Sequence, residues 1–541
     1  MLAKGSAGEP FSGKGGEKAA RGWDWDWDWD WDWGTVGGAL AVVYVLETGR
    51  RYLRERRLGL KGSVRNWLPV VGPLAQTLLV VKNQHRIYDF LVEERRAAGA
   101  GTFSMMGMVG PRLVMVTDPQ NLEFVLNHPE LFVKGQKFQR FMHGLLGGGI
   151  FNVNGDEWLL QRKLAGHIFT VRSLREMFPV FAKHGQHLLD LFEARARSSS
   201  QPLQSSSSAS SPRQSPSALL LDVQDVFMRF TLDSFSEISG MGEVNSLLQP
   251  KPFAKAFDAA QIGVTERFIN PLYQMLGPFT FLIPSERSLK EALLVVNQHA
   301  GALIADRKQQ PGGTDLVSRY LQVDPTLETS WLRDAVTNFL LAGRDTTAVC
   351  LSWSVYELAR HPSVHESLRE EVLRIVGPSA TPSYEHVIQE MPYMKAFISE
   401  VLRLHPSVPW DPKEAVADVT LPGGQRVPAG TVVSWVAYMT GRDPGVWPQP
   451  DTFQPMRWID PVQYNGGVAI TTYAFPAFQP GKRSCLGKQL AYAEISFVLS
   501  LLCQKGYRFS IPPHIHPTYI VSITLMTTNL LVQVTKPSQN E

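Results

Sequence analysis

The sequence predicts a mostly helical fold with a small β subdomain, and three observations predict it. From WLPVVGPL onward, apolar residues recur at helical spacing through most of the chain. Only two stretches read as strand-rich: TFSMMGMVGPRLVMVTDP as a hairpin, and LPGGQRVPAGTVVSWVAY as two strands around Gly-Pro turns. Composition supports a large core, with 541 residues of which 44% are hydrophobic and 19% charged.

Taken in order, residues 1–34 read as a disordered, low-complexity N-terminus. The first 22 are rich in Gly, Ala and Lys without a hydrophobic period, and fit a disordered or targeting segment. Trp23 to Trp33 alternates Trp and Asp, a strand-like period of two that cannot pack a core by itself. Thr35 to Leu46 is uncharged and apolar, but its 12 residues fall short of the ~20 that a helix needs to span a bilayer. Arg50, Arg51, Arg54, Arg56, Arg57 and Lys61 follow it. Residues 35–61 therefore read as a marginal membrane anchor with a basic flank, set on the cytoplasmic side by the positive-inside rule. A solvated basic helix face is the bland alternative.

The main domain covers 62–541. Pro69 and Pro73 in WLPVVGPL predict a rigid hinge rather than a helix. Ser198 to Ser217 has almost nothing to bury and predicts a flexible surface insertion between helices. The net charge is +3, brought down from +8 by the five Asp of the Trp-Asp run. Such mild basicity suits an acidic protein partner or an anionic membrane surface and argues against nucleic acid. Three widely spaced cysteines, Cys350, Cys485 and Cys503, build no disulfide framework and point to a reducing compartment.

The chemistry concentrates in FPAFQPGKRSCLGKQLAYAEISFVLSLL. Cys485 lies between Gly481 and Gly487, ahead of an apolar-periodic helix beginning near Lys488. Glycines on both sides permit turns with φ > 0 and let a flat cofactor approach the main chain. A helix N-terminus with Lys482, Arg483 and Lys488 nearby favours a thiolate, although a lone cysteine is more often an inert small hydrophobe. AGRDTTAV places Asp345 and Thr346 mid-helix in the apolar segment from Trp331 to Arg360, where polar residues compete with the helical backbone. Glu400 and Arg403 stand at i, i+3, an ion-pair spacing, and Arg457 follows downstream in FQPMRW. Trp158 and Arg162 stand at i, i+4 on one helix face.

Together these motifs resemble the cytochrome P450 family. Phe478, Gly481, Arg483, Cys485 and Gly487 match its F-x-x-G-x-R-x-C-x-G haem-binding signature, with Gln479 where many members have Gly. The resemblance implies a cytochrome P450 fold holding haem b, with Cys485 as the axial thiolate and Phe478 beside it. It implies that Trp158, Arg162 and Arg483 donate to the haem propionates. Asp345 and Thr346 would relay protons during oxygen activation, and Gly343 would leave room for dioxygen. Glu400, Arg403 and Arg457 would form a buried structural triad, with Met456 where relatives have Glu. Cys350, Cys503, His361 and His365 read as structural.

No G-x-G-x-x-G follows a strand, so electrons would come from NADPH through a separate reductase. No H-E-x-x-H or paired C-x-x-C points to zinc. ELFVKGQKFQRFMHGLLGGGIFNVNGDEWLLQRK, LRLHPSVPWDPKEA and VPAGTVVSWVAYMTGRD resemble the plant, algal and fungal long-chain fatty-acid ω-hydroxylases. That branch implies a lipid substrate, a narrow channel presenting its terminal carbon, and Phe339, Ala342, Val408, Pro409 and Trp410 near it. It implies a membrane-associated enzyme, at the endoplasmic reticulum with a cytosolic catalytic domain, with organellar targeting left open. The alternatives are a sterol, terpenoid or carotenoid substrate, or, from another class, a non-catalytic haem-binding sensor or membrane scaffold.

Overall fold

The computed structural model describes Arg50 and residues 61–62, 71–105, 112–200, 220–239, 242–309, 313 and 315–536, all within the unit Thr48–Glu541. The Trp-Asp run, the apolar stretch Thr35–Leu46 and all of the Ser-rich segment beyond Ser200 lie outside the described residues. Among those described, no helix is long and apolar enough to cross a membrane.

Helix α1 (Val71–Lys82) begins within the proline segment. The hinge reading therefore fails from Val71 onward. Pro73 falls in the first turn, whose N–H groups have no intrahelical acceptor, so the missing donor costs nothing there. Helix α2 (Ile87–Ala98) follows and closes on Gly99 in the left-handed region.

The β subdomain is a six-stranded sheet in the order β1-β2-β3-β9-β6-β4. Its strands are β1 (Lys61–Gly62), β2 (Thr102–Met105), β3 (Leu113–Val116), β4 (Phe132–Val133), β6 (Trp410–Ala415) and β9 (Val432–Val436). The expected hairpin is present, with Phe103 opposite Met115. The second strand-rich stretch divides. Its β9 enters the middle of the sheet, parallel to β3 and antiparallel to β6, while β8 (Arg426–Val427) pairs separately with β7 (Val419–Thr420). Val114, Phe132, Val433 and Trp435 form a small core under this sheet. A second sheet joins β10 (Arg508–Ser510), β11 (Leu531–Thr535) and β5 (Leu220–Asp222), all antiparallel.

The helices surround one large apolar core. Those that position the site are α3 (Pro119–Asn127), α4 (Gln136–Leu146), α5 (Gly155–Gly166), α6 (Val171–Ser200), α7 (Val223–Ser239) and α8 (Pro252–Ile269). Further along come α9 (Pro284–Gln309), α10 (Leu316–Val323), α11 (Thr329–Leu340), α12 (Thr346–Arg360), α13 (Pro362–Ile375), α14 (Pro392–Leu404) and α15 (Lys488–Gln504). Between α11 and α12 the chain stays helical but makes one π turn, Leu341–Asp345. Such turns insert a residue and gather at functional sites.

Candidate active site

The cysteine loop is built by its backbone. After the 3-10 turn Pro476–Phe478, Gln479 adopts φ 46° and Gly481 φ 93°. A side chain at Gly481 would meet the Leu126 carbonyl oxygen 2.9 Å from its Cβ, so this glycine closes the loop onto the end of α3. The Cys485 N–H then donates to the Phe478 carbonyl at 3.0 Å, and α15 starts three residues later at Lys488. Phe478 packs on Tyr492, with ring centroids 5.4 Å apart.

Cys485 opens onto a cavity of about 520 Å³ that Phe478 and Gly487 also line. Burial raises its thiol pKa, while the Gly487 N–H, Arg162 and Lys488 work in the opposite direction. The expected cation setting is thus corrected in two respects. Lys482 reaches outward to Glu130 at 3.7 Å, and Arg483 turns to the Val153 carbonyl at 2.9 Å and Asn154 Oδ1 at 3.2 Å. The net effect leaves the thiol above its ordinary value. Burial likewise pushes the thiols of Cys350 and Cys503 up to about 12.

Around one edge of the cavity the side chains are cationic. Arg162 Nη1 donates to the Ser484 carbonyl at 2.7 Å. The guanidinium groups of Arg162 and Arg483 lie 5.6 and 4.6 Å from the centroid of the Trp158 ring. Strand β6 adds a group that motif reading missed. Asp411 and Lys413 sit two residues apart and share a face of the strand. Asp411 pairs with Lys134, and Lys413 Nζ lies 3.9 Å from Asp411 Oδ2. Lys413 Nζ is buried without a hydrogen-bond partner, and desolvation depresses its pKa well below the usual lysine value. Trp410 Nε1 and Gln479 Nε2 are also buried and unpartnered. All three residues line the cavity, and all three atoms are donors.

The π turn also lines the cavity, through Leu341, Ala342 and Gly343. Thr346 lines the cavity, its hydroxyl donating to the Ala342 carbonyl at 2.6 Å and its own carbonyl accepting from Ser407 Oγ at 2.7 Å. Phe339, Ala342, Val408 and Trp410 share this lining, and Pro409 does not. Asp345 is absent from it too. Its carboxylate is fully buried, paired with Arg344 at 2.6 Å and accepting from Gln261 Nε2 at 2.6 Å, while Arg344 also holds Asp258 at 2.7 Å. Burial raises the Asp345 pKa, and Arg344 opposes the rise. A Cβ on Gly343 would lie 2.1 Å from the Phe235 ring, so this glycine admits α7 against the helix, and it also lines the cavity.

Another acid lines the cavity, unmarked by any motif. Glu494, on α15, is buried, accepts from Ser234 Oγ at 2.5 Å, and is pushed up to about 8 by burial. It is a neutral acid at ordinary pH. The only signal in sequence is a Glu inside the apolar run AYAEISFV.

The ion-pair cluster assembles beneath the cysteine loop. Glu400 Oε2 accepts from Arg403 Nε at 2.9 Å, and Glu400 Oε1 accepts from Arg457 Nε at 3.0 Å. Trp458 Nε1 at 2.9 Å and the Gln454 N–H at 2.8 Å complete the carboxylate's partners. Arg403 goes on to the carbonyls of Gly441, Pro450 and Thr452, pinning the segment that leads into the loop. His361 bonds Glu357, and His365 stacks on Phe509, so neither faces the cavity.

The family model for cytochrome P450 matches residues 64–534. The chain belongs to the cytochrome P450 family. Cytochrome P450 704B1 of Arabidopsis thaliana is 33% identical to this P450, covering 86% of the chain and 93% of the relative. Cytochrome P450 94A1 of Vicia sativa is 32% identical over 83% and 86%, and cytochrome P450 94C1 of Arabidopsis thaliana 36% over 71% and 76%. The cytochrome P450DA heme domain shares the fold, with a TM-score of 0.70 at 23% identity, over 84% of this chain and 94% of that one. As a P450 the chain is a haem-dependent monooxygenase. The residues present fit that cofactor: a thiol opening on the cavity, and a rim of unmet donors and cations where a flat dianion would set its carboxylates.

Proposed function

We propose that this P450 hydroxylates a long lipid chain, with Cys485 as the residue that would hold the haem iron and electrons drawn from NADPH through a separate reductase. One observation carries the reading: the Cys485 thiol and the Thr346 hydroxyl open into the same cavity. When bound, haem supplies the oxidising chemistry, its iron held by a thiolate donor. Trp158, Arg162, Arg483 and Lys413 would hold its carboxylates. Thr346 would hold and pass a proton at its Oγ1. The triad of Glu400, Arg403 and Arg457 positions the loop and takes no part in the chemistry.

A lipid suits the lining, which includes Phe138, Met142, Leu146, Phe268 and Phe339. The resemblance to fatty-acid ω-hydroxylases supports the terminal carbon as the site of attack. A membrane-bound enzyme suits the surface, where Leu272, Phe279, Phe281 and Leu282 are 48–63% exposed in one short segment. We take residues 62–541 as the catalytic domain and 35–61 as its anchor and basic flank. The test begins with the carbon-monoxide difference spectrum of the reduced holoenzyme. NADPH consumption with a reductase then compares a long-chain fatty acid, a sterol and a terpenoid. A thiolate-type spectrum with fatty-acid hydroxylation is the expected result; turnover of the sterol or terpenoid alone overturns the lipid-chain assignment.

A further inference from the structure

Five buried polar atoms without a hydrogen-bond partner belong to residues lining the cavity, and four of them are donors or a hydroxyl. Lys413 Nζ, Trp410 Nε1 and Gln479 Nε2 are donors, and Thr524 Oγ1 is a hydroxyl that serves donors and acceptors alike. The remaining cavity atom differs. Gln76, on α1, is 1% exposed and lines the cavity, and its Oε1 has no hydrogen-bond partner.

Its orientation is set from outside the cavity. Gln76 Nε2 faces Glu94 Oε2 on α2 at 3.4 Å. Exchanging the amide N and O would bring two acceptors together, so the oxygen is held on the free side. The wall that α1 and α2 give the cavity is otherwise mainly apolar, with Val80, Val81, Ile87 and Leu91. The hydroxyl of its Tyr88 is engaged with the Ser522 carbonyl at 3.3 Å. A buried carbonyl kept unmet on an apolar wall calls for a partner.

We propose that Gln76 is a specificity-determining residue whose Oε1 accepts a hydrogen bond from a donor group on the substrate. The class it selects is a molecule with a hydroxyl, protonated carboxyl or amide N–H. An ester, ether or ionised carboxylate offers this oxygen only acceptors and leaves it unmet. In naming the polar end of a lipid chain the proposal rests on the function proposed above, and its test separates the two.

The probes are 1-dodecanol and dodecyl methyl ether, titrated into the holoenzyme and read by the substrate-induced change of the haem spectrum. The native protein is expected to bind the alcohol about tenfold more tightly than the ether, the size of one good hydrogen bond. Gln76→Met keeps the length and removes the oxygen, so the ratio falls to near one while the carbon-monoxide spectrum stays unchanged. An equal ratio in native and variant proteins overturns the proposal, and so does a native enzyme without preference, whether or not the variant folds. If neither chain binds, the lipid reading falls instead. Cyclohexanol and its methyl ether then put the same question to Gln76, with the same two answers.

Discussion

Asp345 and Thr346 are adjacent in sequence, and only Thr346 lines the cavity. The Thr346 hydroxyl borders the cavity, while the Asp345 carboxylate is enclosed between Arg344 and Gln261. The two residues therefore have separable roles, and substituting each should fail differently.

Thr346→Ala should keep haem and substrate binding but uncouple turnover, so that NADPH consumption yields hydrogen peroxide in place of hydroxylated product. A hydroxyl on the cavity wall can hold and pass the proton that productive oxygen chemistry needs, and a methyl group cannot. Stability should change by about 1 kcal/mol or less, since one helical hydrogen bond to Ala342 is lost. Product formed per NADPH decides the matter, and unchanged coupling would mean that protons arrive elsewhere.

Asp345→Asn should instead act on the fold. It leaves the buried Arg344 with only Asp258 as a carboxylate partner. Thermal unfolding should report a loss of about 1–3 kcal/mol. A variant as stable as the native protein would show that the Arg344–Asp345 pair contributes no net stability.

Cys485→Ala should abolish the thiolate-type Soret band of the carbon-monoxide complex, whereas Cys350→Ala and Cys503→Ala should retain it. Cys485 alone is open, while the other two thiols are buried. A retained band in the Cys485 variant contradicts the ligand assignment.

Lys413→Met should have effects of opposite sign on the apoprotein and the holoenzyme. Its amine is buried without a hydrogen bond, so replacing it with an apolar chain of similar length should leave the apoprotein as stable or more so. The same change removes a donor that could meet a cofactor carboxylate, and haem should be lost several-fold faster. Apoprotein unfolding and haem transfer to apomyoglobin measure the two effects, and an unchanged transfer rate would remove Lys413 from the rim.

Glu494 gives a pH dependence with a definite sign. Its pKa is about 8 in the folded protein against an ordinary 4.5. Between those values the native state keeps a proton that the unfolded chain has released, so stability falls as pH rises through the window. Glu494→Gln should remove that slope and stabilise the protein above pH 8 by on the order of a few kcal/mol. Melting temperatures of both proteins from pH 5 to 9 provide the comparison, and parallel curves would refute it.

What could be read from the chain alone was whatever depends on local spacing. Cys485 between its glycines, Glu400 and Arg403 one turn apart, Trp158 and Arg162 on one face, and the hairpin at Phe103 and Met115 all follow from periodicities of 3.6 and 2. The direction each side chain faces did not follow, because it depends on partners far away in sequence. The π turn at Leu341–Asp345 inserts a residue and shifts everything after it by ~100° relative to an uninterrupted α-helix. Helical counting therefore could not tell that Thr346 would face the cavity and Asp345 would meet Gln261. Lys413 became a candidate only once strand pairing set β4 beside β6 and brought Lys134 to Asp411. Gln76 became one only when α1 packed its amide against Glu94. Motif identity is local chemistry; the meeting of α1, α2, α8, β6 and the π turn around one cavity is a product of long-range packing, and no spacing rule encodes it.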